Sequence, residues 1–236
     1  AQRRIRAFAS AGATASALQK AEDYGRECAK QGIVPVSLSA AAKIISGQRT
    51  SQVLVGDRQV SAWCAAGLLD DLSEVRLRDS DVGADGAKAL AARLGRHVTS
   101  LDLTGNCIGV RGAQALAAAQ MPNLDVLMLS KNGLGDAAAV ILCEGLTAAG
   151  APQLSKLLLS ENQISRAGRA IGELMGAQKK LAMLDLHWNF LTGESAVSMF
   201  EGVEANHRGD GNLARLDVSW NCLGNSRAVA SMSSLA

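Results

Sequence analysis

One phrase recurs five times between residues 98 and 223: VTSLDLTGNCI (98–108), LDVLMLSKNGL (124–134), LSKLLLSENQI (154–164), LAMLDLHWNFL (181–191) and LARLDVSWNCL (213–223). The shared pattern is L-x-x-L-x-L-x-x-N-x-L. An imperfect copy, LSEVRLRDSDV (72–82), comes before them with Ser80 in the Asn position. The Asn positions 106, 132, 162, 189 and 221 are separated by steps of 26, 30, 27 and 32. A chain built from such units does not wrap around one central core. Each unit buries its apolar face against the next, so the chain grows as a stack.

The spacing within the phrase has a direct physical reading. In LDL or LLL the apolar residues alternate, so Leu101 and Leu103 point one way and Asp102 the other. The leucines go beneath a short strand and the residue between them faces out. The Asn then turns inward. A buried turn strands backbone N–H and C=O groups, and an amide side chain can both donate to and accept from them. Five stacked Asn side chains are expected to form a polar ladder along the core edge.

Each turn is followed by apolar residues at helical spacing: Ala87, Leu90, Ala91, Leu94; Ala139, Leu142, Cys143, Leu146; Ala196, Met199, Phe200, Val203. A small residue (Gly86, Gly112, Ala138, Gly168 or Ser195) begins most of these helices and is expected to let helix and strand approach closely. This period and signature resemble leucine-rich repeats of the ribonuclease-inhibitor-like class. The expected fold is therefore α/β: a horseshoe solenoid with a parallel sheet on the concave face and helices on the convex face. The curvature follows from spacing, since parallel strands sit about 4.8 Å apart and packed helices need about 8–10 Å.

Composition narrows the function classes. Apolar residues make up 48% but aromatics only 3%, which suits thin repeats rich in Ala and Leu. The net charge is +2, from 24 basic and 22 acidic residues, and gives no case for nucleic acid or an anionic membrane. No apolar run approaches the roughly 18 residues of a membrane span. The five Cys (28, 64, 107, 143, 222) form no C-x-x-C and no paired framework, and no Asn-x-Ser/Thr sequon occurs. A reducing intracellular compartment is expected. Cys107 and Cys222 share the position after the Asn and are expected to pack.

Along the chain, residues 1–49 read as a helical N-terminal cap and 50–236 as the repeats. The cap opens with Arg3, Arg4 and Arg6 and an Ala-rich run, read as a basic helix rather than a transit peptide. A helix over 12–31 stops at Gly32, and a short helix over 39–47 stops at Gly47. VLVGDRQV (53–60) reads as a worn strand phrase with Arg58 at the Asn position, followed by a helix over 62–72. Longer connections are expected at 147–153 and 204–212, on one rim. The chain ends on GNSRAVASMSSLA, which lacks a polar cap sequence.

Catalysis finds little support. His97 and His207 are expected in solvated connections. His187 faces out beside Asp185, an arrangement that could serve acid–base chemistry, but the sequence shows no nucleophile, metal cluster or phosphate loop converging there. GADGAK (83–88) is the repeat's turn and not a phosphate loop. Arg208-Gly209-Asp210 is read as a chance tripeptide. No cofactor, metal, small-molecule substrate, nucleic acid or membrane is expected; the expected partners are other proteins.

The outward columns say more. The residue between the strand leucines runs Arg76, Asp102, Met128, Leu158, Asp185, Asp217; the next column runs Arg78, Thr104, Ser130, Ser160, His187, Ser219; and the column before the turn runs Asp79, Gly105, Lys131, Glu161, Trp188, Trp220. Trp188 and Trp220 should lie side by side as a binding anchor, and Met128 and Leu158 extend an apolar patch. The candidate binding set is Trp188, Trp220, His187, Asp185, Asp217, Met128 and Leu158.

The segment YGRECAKQGIVPVS (24–37), followed by a worn repeat and six ordered ones, is similar to the leucine-rich repeat-containing protein 74 family, as are LDLTGNCIGVRGA, LDLHWNFLTGESAVSMFEGVEAN and LDVSWNCLGNS. The resemblance covers about 20–225. It implies a non-enzymatic interaction scaffold in the cytoplasm, within a ciliary or flagellar axoneme. Two other readings stay open: a GTPase-activating protein of the Ran-directed type, though the strongly acidic tail of that type is not seen, and an intracellular sensor or inhibitor module.

Overall fold

The computed structural model describes residues 15–47 and 55–224. Three helices come first: α1 (Ala15–Gln31), α2 (Leu38–Ile45) and α3 (Gly56–Ala65). Then β1 (Glu74–Arg76), α4 (Ala84–Arg93), β2 (Ser100–Asp102), α5 (Gly109–Ala118), β3 (Val126–Met128) and α6 (Gly135–Gly145) alternate. The series closes with β4 (Lys156–Leu158), α7 (Gly168–Ala177), β5 (Met183–Asp185), α8 (Gly193–Arg208) and β6 (Arg215–Asp217). The six strands form one open parallel sheet in the order β1-β2-β3-β4-β5-β6. This is the α/β solenoid that the repeats demand, with helices crossing back on the convex side.

The register keeps every repeat aligned. Leu101, Leu127, Leu157, Leu184 and Leu216 are partners in a row, and so are Asp102, Met128, Leu158, Asp185 and Asp217. The row beneath the sheet is buried as far as Leu184, and Leu216 on the last strand is half-buried. One apolar cluster runs without a break from Tyr24 in α1 to Phe200 in α8.

The polar ladder is complete from Asn106 to Asn221. Asn162 is fully buried; its Nδ2 donates to the carbonyls of Leu129, Leu159 and Ser160 at 2.9–3.1 Å, and its Oδ1 accepts from the amides of Asn132 and Leu134. Asn189 repeats this one unit on, holding the amides of Asn162 and Ile164. Each Asn thus ties its own turn to the turn before it. At the N-terminal end Asn106 Oδ1 holds the amides of Ser80 and Val82, so the degenerate Ser80 repeat is held from one side.

Four expectations need correction. The worn strand phrase is not a strand from residue 56 onward: Gly56–Ala65 is helical and Arg58 is exposed on it; its first residues, 53–54, lie outside those described, as do Arg3, Arg4, Arg6 and the end from 225. The helix read over 62–72 therefore begins at Gly56. Asp57, in its first turn, accepts from the Gly83 amide at 2.6 Å and so ties α3 to the next unit.

The longer connections at 147–153 and 204–212 are mostly helix. Leu146–Gly150 continues α6 as a π-turn, and α8 runs on through Gly202 to Arg208, where Gly209 is the C-cap. The small residues at helix starts admit the neighbouring helix rather than the strand. A Cβ on Gly168 would fall 1.9 Å from the Ser195 carbonyl oxygen, and one on Gly112 would fall 2.2 Å from Ile108 Cγ2 in its own turn and 3.0 Å from Ala87 Cβ on the neighbouring helix. Finally, Cys107 and Cys222 do not pack; both are exposed, because the position after the Asn points away from the core.

Candidate functional site

The strand columns stand on the concave face because they alternate with the buried leucines. Their contacts change along the arc. At the N-terminal end the charges are paired: Arg76 with Glu74, and Arg78 with Asp102 at 3.6 Å. In the middle, Lys131 bridges to Glu161 at 3.1 Å, Ser160 Oγ donates to Ser130 Oγ at 2.7 Å, and Met128 and Leu158 are half-buried side by side. Asp102, Thr104, Ser130 and Ser160 are buried by their neighbours, so this part of the face is closed.

The C-terminal end is open. Trp188 and Trp220 are 55% and 75% exposed, with ring centroids 5.6 Å apart and planes tilted by 48°. They touch each other, as adjacent units at one repeat position must, yet neither is covered by the rest of the chain. Both have left-handed backbone, φ 53° and 55°. Asp79, Gly105, Lys131 and Glu161 in the same column share that conformation, so the turn imposes it. An L-residue held there costs roughly 1–2 kcal/mol, and the bulk of an indole does nothing to relieve it.

Phe190, 57% exposed, was missed by the sequence reading. It follows the Asn in the outward position occupied by Cys107 and Cys222, and its repeat position was the available signal.

Beside the indoles, β5 and β6 bring Asp185, His187 and Asp217 together. His187 Nδ1 is 2.7 Å from Asp185 Oδ1, which also accepts from the His187 amide at 3.0 Å. Asp217 Oδ1 accepts from the hydroxyl and the amide of Ser219 at 2.7 and 3.1 Å. The Ser219 hydroxyl first, and then its amide, hold the Asp217 carboxyl below the usual carboxylate range. The sequence showed no metal cluster at His187, whereas the sheet places Asp217 next to it: one possible ligand atom from each of the three lies within 4.8 Å of the others. Of the seven candidate residues, Trp188, Trp220, Asp185, His187 and Asp217 gather at this end. Met128 and Leu158 sit together on β3 and β4.

The other histidines stand apart: His97 is exposed in a turn, and His207 is exposed on the last turn of α8. Among the described residues, no helix is long and apolar enough to cross a membrane.

Residues 71–91 and 96–117 match the family model described as Leucine Rich repeat, and they fall on the β1–α4 and β2–α5 units. With the alternating strands and helices and the Asn ladder, they give the chain a leucine-rich-repeat fold. No curated protein matches the sequence. Solved structures with a similar backbone include the actin-binding site 2 of leiomodin-1, at 16% identity and TM-score 0.49, covering 67% of this chain and 92% of that one. An internalin C2 from Listeria monocytogenes gives 16% and 0.46, covering 88% and 87%. The C-terminal domain of a tropomodulin from Caenorhabditis elegans gives 14% and 0.36, covering 53% and 89%. Likeness at this level concerns the backbone path and not function.

Proposed function

We propose that this protein is a non-enzymatic scaffold that docks another protein on the C-terminal part of its concave face, with Trp188 and Trp220 as the anchors. The observation that carries the reading is that paired indoles stay largely exposed at two turn positions where the fold gains nothing from them. Large, stiff aromatic side chains are the commonest hot spots of protein interfaces. Phe190 widens the apolar area, and the half-buried Met128 and Leu158 lead the partner along the arc. Asp185, His187 and Asp217 supply the polar contacts that fix its register.

The double substitution Trp188→Ala/Trp220→Ala tests this. Partner retention should fall at least tenfold while the unfolding free energy stays within about 1 kcal/mol of the parent, about 0.5 kcal/mol for each exposed site. Undiminished retention would remove the site.

The resemblance to the leucine-rich repeat-containing protein 74 family adds a setting, a ciliary or flagellar axoneme, and the repeat pattern of the sequence supports a division into a cap over 1–49 and repeats over 50–236. Co-purification with isolated axonemes after detergent and salt extraction supports that setting. Recovery wholly in the soluble fraction removes it and leaves the docking surface untouched.

A further inference from the structure

The group at β5 and β6 differs from a pair of surface acids because an imidazole completes it. Asp185 and His187 are two apart on one stretch of chain, so both side chains stand on the concave face. Asp217 is the register partner of Asp185 on the next strand. One donor atom from each residue lies within 4.8 Å of the other two. Ligands bound at about 2.0–2.2 Å to one tetrahedral ion are about 3.3–3.6 Å apart, so closing the site takes a contraction of the side chains of up to about 1.5 Å.

The three side chains are half-buried and already oriented. Asp185 holds the imidazole, and Ser219 holds Asp217 through its amide and hydroxyl. Arg215 is the cation nearest to hand, with Nη2 3.9 Å from Asp217 Oδ2 and its own side chain 66% exposed. A pair that long and that wet is easily displaced. The equivalent positions elsewhere do not repeat the set: Asp102 and Thr104 face Met128, and Leu158 and Ser160 precede Asp185.

We propose that Asp185, His187 and Asp217 bind one divalent transition-metal ion of the zinc class, with water completing the coordination. The imidazole points to that class, since purely oxygen sets suit magnesium and calcium whereas nitrogen donors suit zinc, iron, nickel and copper. The site shares Asp185, His187 and Asp217 with the proposed docking surface but needs neither the indoles nor a partner, so metal binding is read on the protein alone.

The test is a calorimetric titration of the full chain with Zn²⁺. It is carried out with Cys107→Ser and Cys222→Ser, so that the two exposed thiols take no metal. One saturating equivalent per chain is expected. Binding should weaken at least tenfold in His187→Gln and in Asp217→Asn and stay unchanged in Glu173→Gln on α7. Circular dichroism checks that each variant keeps its fold; His187→Ala and Asp217→Ala replace any that does not. In a parallel titration Co²⁺ should develop visible d–d bands and quench the emission of the adjacent Trp188 and Trp220. No saturable binding up to millimolar Zn²⁺, or equal affinity in the ligand variants, would overturn the site. Either result leaves partner docking at the indoles to its own test.

Discussion

Replacing Asn162 tests the ladder at its most buried rung. Its removal does not orphan every group it touches. In Asn162→Ala the Leu129 carbonyl keeps Asn132 Nδ2, the Leu159 carbonyl keeps Asn189 Nδ2, and the Ser160 carbonyl keeps the Lys131 amide. What is lost is Oδ1, the acceptor for the Asn132 amide at 2.9 Å and the Leu134 amide at 3.4 Å. A buried polar group left without a partner costs about 1–3 kcal/mol. With one good and one long bond lost, the expected destabilisation is roughly 2–4 kcal/mol.

Asn162→Asp keeps the acceptor but turns the donor edge into a second oxygen facing three carbonyls. Its charged form is therefore disfavoured, and its folded-state pKa lies above the unfolded value of about 3.9. The folded protein then binds more protons than the unfolded one, so the penalty is small below that pH and grows as pH rises. Urea unfolding at pH 4.5 and 7.5 measures this. The Asp variant should be closer to the parent at pH 4.5 and markedly weaker at pH 7.5, where it falls below the Ala variant. Stability within about 1 kcal/mol of the parent for both variants at pH 7.5 would refute the ladder's role.

Other outcomes follow from the same structure. Gly172→Ala places a Cβ 2.6 Å from the Ser198 carbonyl oxygen, and Gly202→Ala places one 2.2 Å from the Gly172 carbonyl oxygen. Each should lower stability by about 1–3 kcal/mol in thermal unfolding, whereas Gly176→Ala, with its nearest contact at 3.4 Å, should be neutral or slightly stabilising. Trp188→Gly should raise the unfolding midpoint, since it relieves a left-handed turn, and a fall would show that the indole supports the fold. Among the thiols, burial pushes Cys64 and Cys143 up to about 12 and also raises Cys28, whereas Cys107 and Cys222 are exposed. Ellman's reagent should therefore find two fast thiols in the native protein and all five after unfolding; a third fast thiol would contradict the burial pattern.

Most of the arc is legible in the sequence because its determinants are local and repeated. The L-x-L alternation sets the strand, the Asn sets the turn, and the register then follows without further information. The signal failed where the repeat wears out. VLVGDRQV reads as a strand by pattern, but Gly56–Ala65 is helical, and Asp57 there serves the amide of Gly83 in the next unit. Such a partner, 26 residues away, has no mark in the local sequence.

Side-chain destinations beyond the repeat were equally hidden. Asn206 reads as part of a loop, but it is buried at the end of α8, where its Nδ2 donates to the Met175 carbonyl at 2.6 Å. At the candidate site, the columns placed Trp188 beside Trp220 and Asp185 beside Asp217. They did not show that the middle of the concave face is closed by its own neighbours. That depends on contacts between Ser130 and Ser160 and between Lys131 and Glu161.

Photo-crosslinking from Phe190 tests the docking claim most directly. A benzoylphenylalanine at this exposed position keeps the aromatic character and sits two residues past Trp188; a second copy at Arg169 reports on the exposed surface of α7. The expected result is an adduct of defined mass with the partner from position 190, none from position 169, and loss of the adduct once Trp188 and Trp220 are both alanine. Equal crosslinking from both positions, or an adduct that survives without the indoles, would contradict the account.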